Sequence, residues 1–312
     1  MMLMMIRKLF FFLFILIFST VLQAKELPEG FPECYKNDVD KTNFCPIEAK
    51  LGHRLFLVDF TSEWNQDQVN WVKGRIFGDA LVKDTHPYYK LTYIKIDGTD
   101  PHTQVPVYSK CRFKKGTKTK FQGDKTNRSC EGGDHVKLIY DAWLDSIKKV
   151  EKGFFQNKKA DQSLIYEYIV YVLREMKADF GNDYGERELI IVSDLMQYSE
   201  RVNFFKHCMT ASEWQKSPKK RKANRCRTFE KLLEKNKSFA SYIKATKPSK
   251  DSLENLKVKV LYINHDCQTR KDLYLTLLVL WEDFFKHLGI TNYEIVPQLD
   301  MKDNCKATKT GS

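Results

Sequence analysis

Two aspartates stand at the ends of two nearly continuous apolar stretches of this sequence. Asp59 stands at the end of HRLFLVDF (residues 53–60), and Asp194 ends ELIIVSD (residues 188–194). Runs of that kind suit strands buried on both faces of a parallel sheet. In open α/β sheets ligands gather beyond the carboxyl ends of the strands, so an acid there carries functional weight. Asp59 is followed at once by Thr61, Ser62 and Glu63 on a turn. A carboxylate among hydroxyls can hold a hard cation, because magnesium takes oxygen ligands and keeps several of its waters. The same residues also have an ordinary structural reading. Either aspartate is a favoured helix cap, Thr61 and Ser62 suit a helix start, and Glu63 suits the first turn beside the helix dipole.

The elements that must position these side chains alternate along the chain. A strand at 53–60 is followed by Val69, Val72, Ile76 and Ala80 at helical spacing, then by KLTYIKID (90–97), which alternates like a second strand. Val105 to Phe113 suits a third. Two long helices follow, one striped by Trp143, Leu144 and Ile147, the other by Ile165, Tyr168, Ile169 and Val172, before the strand that ends at Asp194. From about 200 to 250 the composition turns basic, with a helix near Phe229 to Ile243, and this stretch is read as an insertion. The order resumes with the strand KVKVLYIN (257–264), a helix carrying Leu277, Leu280, Trp281, Phe284 and Leu288, and a last strand at 293–296. Strands alternating with amphipathic helices predict an α/β fold with a mostly parallel central sheet covered on both faces.

This order, together with the acids at the strand ends, resembles that of von Willebrand factor A domains, which use a metal-ion-dependent adhesion site. Asp59-Phe60-Thr61-Ser62-Glu63 falls where the family has an Asp-x-Ser-x-Ser turn. Asp59 carries over, Thr61 stands for the first Ser, and Glu63 departs from the second. Ser163 is the hydroxyl nearest to the family's later Thr, and Asp194 matches the acid after the fourth strand. The resemblance spans roughly residues 53–298. It implies a three-layer domain with a degenerate metal site of Asp59, Thr61, Glu63, Ser163 and Asp194, taking magnesium and engaging a protein partner.

Other chemistry is excluded by its missing signatures. The seven histidines form no HExxH, Ser193 lies in no GxSxG elbow, and no glycine-rich phosphate loop occurs. Each histidine reads as a surface or core residue, and His265 beside Asp266 has no nucleophile partner. The enzymatic alternative is a secreted metal-assisted hydrolase of phosphoesters using Asp59 and Asp194, with Glu63 as a spare base. The absence of a catalytic constellation favours a non-enzymatic binding protein.

Compartment and partners follow from composition. Arg7-Lys8, an apolar run from Leu9 to Phe18 and Ala24 have the layout of a secretory signal over residues 1–24, so the chain reads as exported, periplasmic or extracellular. Residues 25–52 form an N-terminal arm, 53–298 the domain and 299–312 a tail. Cys34, Cys45, Cys111, Cys130, Cys208, Cys226, Cys267 and Cys305 contain no CxxC and read as disulfides. Sequential pairing, 34 with 45, 111 with 130, 208 with 226 and 267 with 305, is the simplest of many connectivities. The net charge of +12 favours acidic partners. Its densest run, Lys219, Lys220, Arg221, Lys222, Arg225 and Arg227, is a candidate for an anionic envelope component. No aromatics interleave with it, which disfavours nucleic acid. No later segment is apolar for long enough to span a bilayer.

Overall fold

The structure, a computed structural model, describes Cys45 and residues 50–113, 133–156, 160–204, 228–263 and 270–298, without the side chains of 133–136 and 270–276. The leader, most of the arm, the tail, the basic segment, His265 and six of the cysteines lie outside these residues.

Six strands form one sheet in the order β3-β2-β1-β4-β5-β6. They are β1 (Gly52–Asp59), β2 (Lys90–Ile96), β3 (Tyr108–Cys111), β4 (Glu186–Ser193), β5 (Leu256–Tyr262) and β6 (Tyr293–Pro297). All neighbours are parallel except β2 and β3. The fold is therefore α/β with a mostly parallel sheet. β1 and β4 are parallel central neighbours although helices and two strands separate them in the chain, because the winding reverses between them. That reversal makes a crevice at their carboxyl ends, the usual place for a ligand in such sheets.

Eight α-helices are described: α1 (Gln66–Ile76), α2 (Asp79–Asp84), α3 (Gly133–Phe154), α4 (Ile165–Arg174), α5 (Lys177–Phe180), α6 (Phe229–Lys235), α7 (Lys237–Ala245) and α8 (Arg270–Leu288). Alternation along β1 divides the core between the two faces of the sheet. Leu55 and Leu57 join a cluster with Ile165 and Ile169 of α4, Leu232 of α6, Phe239 of α7 and Trp281 of α8. On the other face Phe56 stacks on Tyr93 at 4.5 Å, and Phe77 and Phe154 pack beside them. Phe229, Leu232, Phe239 and Ile243, from the stretch read as an insertion, are buried in the first cluster and belong to the crossover from β4 to β5.

Local chemistry sets the element ends. Asn65 and Gln68 close a capping box at the start of α1, where Gln68 N–H donates to Asn65 Oδ1 at 2.9 Å and Asn65 N–H to Gln68 Oε1 at 2.6 Å. The single helix expected from Val69 to Ala80 is broken at Phe77–Gly78. There the chain folds so tightly that a Cβ on Gly78 would lie 3.0 Å from the Gly74 carbonyl oxygen.

Cys45 is bonded to Cys111, which corrects the sequential scheme for 34 with 45 and for 111 with 130. The bond ties the chain ahead of β1 to the end of β3, a four-residue edge strand. Sheet geometry, not closeness in sequence, brings these two sulfurs together. No helix among the described residues is long and apolar enough to cross a membrane.

Candidate functional site

Asp59 is the last residue of β1 and is buried. The backbone turns directly behind it, so Thr61 reaches back to the same carboxylate. Thr61 N–H donates to Asp59 Oδ1 at 3.0 Å, and Thr61 Oγ1 donates to it at 2.5 Å. Oδ2 accepts from Ser193 Oγ at 2.8 Å and from Ser163 Oγ at 3.1 Å. One carboxylate thus takes four hydrogen bonds from three segments of chain.

Each donor is placed by a different piece of backbone. Ser193 comes from the parallel register, which aligns Val58 with Val192 and sets the next residues of the two strands side by side. Ser163 lies just ahead of α4 and is paired with Tyr198 through both backbone directions, Ser163 N–H to Tyr198 O at 2.7 Å and Tyr198 N–H to Ser163 O at 2.9 Å. Asp194 holds the next turn by accepting the Met196 amide at 2.9 Å, the pattern of an Asx-turn. Its Oδ2 accepts from Ser62 Oγ at 3.3 Å, so the second acid is linked to the turn after the first.

Of the five residues expected as ligands, Asp59, Thr61, Ser163 and Asp194 come together, and Ser62 and Ser193 complete the set. Glu63 is exposed and shares no hydrogen bond with them among the described residues. The capping readings are corrected. Asn65 caps α1, so Asp59 does not, and Glu63 lies three residues ahead of the helix, outside its first turn. Ser193 is missed by reading residue types alone. The signal that finds it is the pairing of β1 with β4, which places the residue before Asp194 beside Asp59.

Burial pushes the Asp59 carboxyl up to about 6, the neighbouring Asp194 charge adds to the rise, and the Thr61 and Ser193 hydrogen bonds oppose it. In the unfolded chain the same group loses its proton near 3.8. Between those values the folded state holds a proton that the unfolded state has released. The stabilisation is therefore full below about pH 4 and lost as pH rises through about 6. His53 works in the opposite sense. Buried and bonded through Nε2 to Thr92 Oγ1, its pKa is lowered by burial and by Lys90. The Asp59 contribution is therefore read as a difference between proteins. Asp59→Asn is expected to gain stability relative to wild type by up to about 3 kcal/mol between pH 4 and pH 7. Urea melts at the two pH values measure this, and a difference that does not change with pH contradicts it.

The chemistry open to the cluster follows from the hydroxyl geometry. A hydroxyl has one hydrogen and two lone pairs. Thr61, Ser163 and Ser193 all give their hydrogen to Asp59, and the Ser193 oxygen also accepts the Leu195 amide at 2.8 Å. Thr61 and Ser163 oxygens keep lone pairs turned away from the carboxylate. Two acids and several oxygen donors, without nitrogen or sulfur, are a hard-cation set. No group of three or more His, Cys, Asp or Glu side chains converges among the described residues, so any cation here would depend on the hydroxyls.

No protein-family profile and no curated protein matches the sequence. Among solved structures, a von Willebrand factor type A protein from Catenulispora acidiphila matches 77% of this chain and 42% of its own, with 9% identity and a TM-score of 0.29. The chain thus spans less than half the length of that protein. The fold described above rests on strand order and register.

Proposed function

We propose that the chain is an exported binding protein of von Willebrand factor A-like design, engaging a protein partner at the carboxyl-end surface around Asp59 through a divalent cation. The observation that carries this reading is the convergence of the Thr61, Ser163 and Ser193 hydroxyls on the buried Asp59, with Asp194 joined to the same turn through Ser62, at the crevice between β1 and β4. Thr61 and Ser163 would hold magnesium through their outward lone pairs. Asp59 and Asp194 would supply the balancing charge. When bound, the ion offers a coordination position for a carboxylate of the partner. Side chains suited to an interface adjoin the cluster along the chain. Trp64 is stacked on Phe60 at 4.8 Å, and Tyr198, whose backbone pairs with Ser163, is 41% exposed.

The hydrolase alternative asks for a free base. Both Asp59 oxygens are engaged, and Glu63 is exposed without a bond to the cluster, so the residues support binding better than proton transfer.

Calorimetry with magnesium and with manganese tests the cation. Wild type is expected to give a saturable heat that Asp59→Ala abolishes and Ser163→Ala weakens by about tenfold. Absence of heat from the wild type would sink the cation. Crosslinking in the native compartment tests the partner separately, through species lost in the Asp59→Ala, Asp194→Ala double variant.

A further inference from the structure

Three hydroxyls meet the Asp59 carboxylate, and the sheet itself places two of them. Ser193 is the last residue of β4, and Thr61 stands two residues beyond β1. Ser163 has no strand to hold it. It precedes α4 by two residues and gives the longest of the three hydroxyl bonds, 3.1 Å against 2.5 and 2.8 Å. Its place depends on how the start of α4 is fastened to the loop after β4.

That helix begins without a cap of its own. The residue ahead of it is Leu164, which makes no capping hydrogen bond, so the amides of the first turn need acceptors from elsewhere. Gln197 supplies one. It is fully buried, and its Oε1 accepts the Tyr166 amide at 3.0 Å, the second-position amide that a capping Ser or Asp serves in other helices. Its Nε2 donates to Glu167 Oε2 at 2.8 Å, on a carboxylate that also takes hydrogen bonds from Ser199 and from its own backbone amide. One side-chain amide, 31 positions beyond Tyr166, thereby grips both Tyr166 and Glu167 in the first turn of α4. The backbone around Gln197 completes the fastening. Its carbonyl accepts the Phe204 amide at 3.0 Å, and the next residue, Tyr198, bridges both Ser163 and Asn203.

We propose that Gln197 is the positioning residue of the candidate site, capping α4 from the loop after β4 and so fixing Ser163 where its hydroxyl meets Asp59. Glutamine carries both the acceptor that the Tyr166 amide needs and the donor that the Glu167 carboxylate needs. A methionine of the same length would leave the amide without its acceptor and the carboxylate without one donor, a cost that draws the start of α4 away from the loop. Ser163 moves with it. The inference takes its ligand from the cation reading above, whereas the placement of Ser163 is measurable without one.

Magnesium is titrated calorimetrically into the full chain and its variants. Gln197→Met is expected to weaken binding by about tenfold, as is Ser163→Ala, and to add nothing where Ser163→Ala is already present, because both act through the same hydroxyl. Gln197→Glu is expected to weaken it as well, and the exchanged pair Gln197→Glu, Glu167→Gln to restore it to within about twofold, since donor and acceptor then meet with roles reversed. That pair keeps both side-chain lengths and the net charge, so it reports even where Gln197→Met disturbs packing. The readout that needs no metal is amide exchange. In Gln197→Met and Gln197→Glu the amides of Ser163 and Tyr198 are expected to exchange about tenfold faster, with those of Val58 and Val192 unchanged. Additive losses of affinity in the Gln197→Met, Ser163→Ala variant overturn the proposal, as does an exchanged pair that binds no better than Gln197→Glu. Absence of magnesium heat from the wild type overturns the cation reading instead, and amide exchange then decides alone, with unchanged rates at Ser163 and Tyr198 overturning the role of Gln197.

Discussion

Trp281→Ala is expected to lower the stability of the domain by about 3–5 kcal/mol, the range for removing a large buried aromatic. Trp281 is fully buried, stacked on Tyr166 at 4.7 Å and edge-on to Phe284 at 5.4 Å. It also has a polar duty that alanine cannot perform, since its indole N–H donates to the Leu195 carbonyl at 2.9 Å. Leu195 follows Asp194 directly and has a φ of 63°, a left-handed conformation that costs a branched side chain about 1–3 kcal/mol and persists only when its surroundings hold it. Trp281 is one of the groups that hold it. Trp281→Phe keeps most of the volume but not the donor, and is expected to cost about 1–3 kcal/mol, the penalty of leaving a buried acceptor unpaired. Urea unfolding of the two variants separates the contributions. Equal losses would show that the hydrogen bond alone sets the effect, and no loss in Trp281→Phe would show that packing alone does.

The second large effect is expected from Cys45 and Cys111. Their bond closes a loop with a sequence separation of 66, and in the chain-entropy account its removal lowers stability by roughly 4 kcal/mol. For a domain of this size such a loss lowers the melting temperature by about 10 °C. The double variant Cys45→Ala, Cys111→Ala, measured by calorimetric melting, tests the figure. Scrambling cannot confuse the reading if the melt is made without thiols. Cys111 is buried at the end of the edge strand, so loss of the bond should also speed amide exchange in β3 more than in β2.

The fold was largely legible because the central strands are spelled as continuous apolar runs. Residues 55–58 and 189–192 are buried on both sides, and only strands inside a covered sheet need that composition. Periodicity failed where the backbone, and not the pattern, decides. Nothing in the stripe of Val72, Ile76 and Ala80 announces the break at Gly78, whose backbone is extended. The stretch 200–250 looked foreign because charge dominates its composition, yet Phe229, Leu232, Phe239 and Ile243 carry the apolar spacing that puts them in the core. Disulfide pairing was illegible for the same kind of reason, because it depends on which strand lies beside which.

The site was legible in part. Asp59, Thr61 and Asp194 follow from type and position, Ser163 only from the family resemblance, and the four come together. Glu63 follows from its place in the motif, yet it is exposed and shares no hydrogen bond with the cluster among the described residues. Ser193 required knowing that β1 and β4 are neighbours, which no single stretch of sequence states.

The four hydrogen bonds at Asp59 have one more consequence. Three hydroxyl rotors and a carboxylate that would otherwise sample several orientations are fixed when the domain folds, before any ligand arrives. Ordering side chains at the moment of association costs about 0.5–1.5 kcal/mol for each one immobilised. Here that ordering belongs to folding, so the free protein is preorganised at this rim, and whatever docks there meets a surface that need not rearrange.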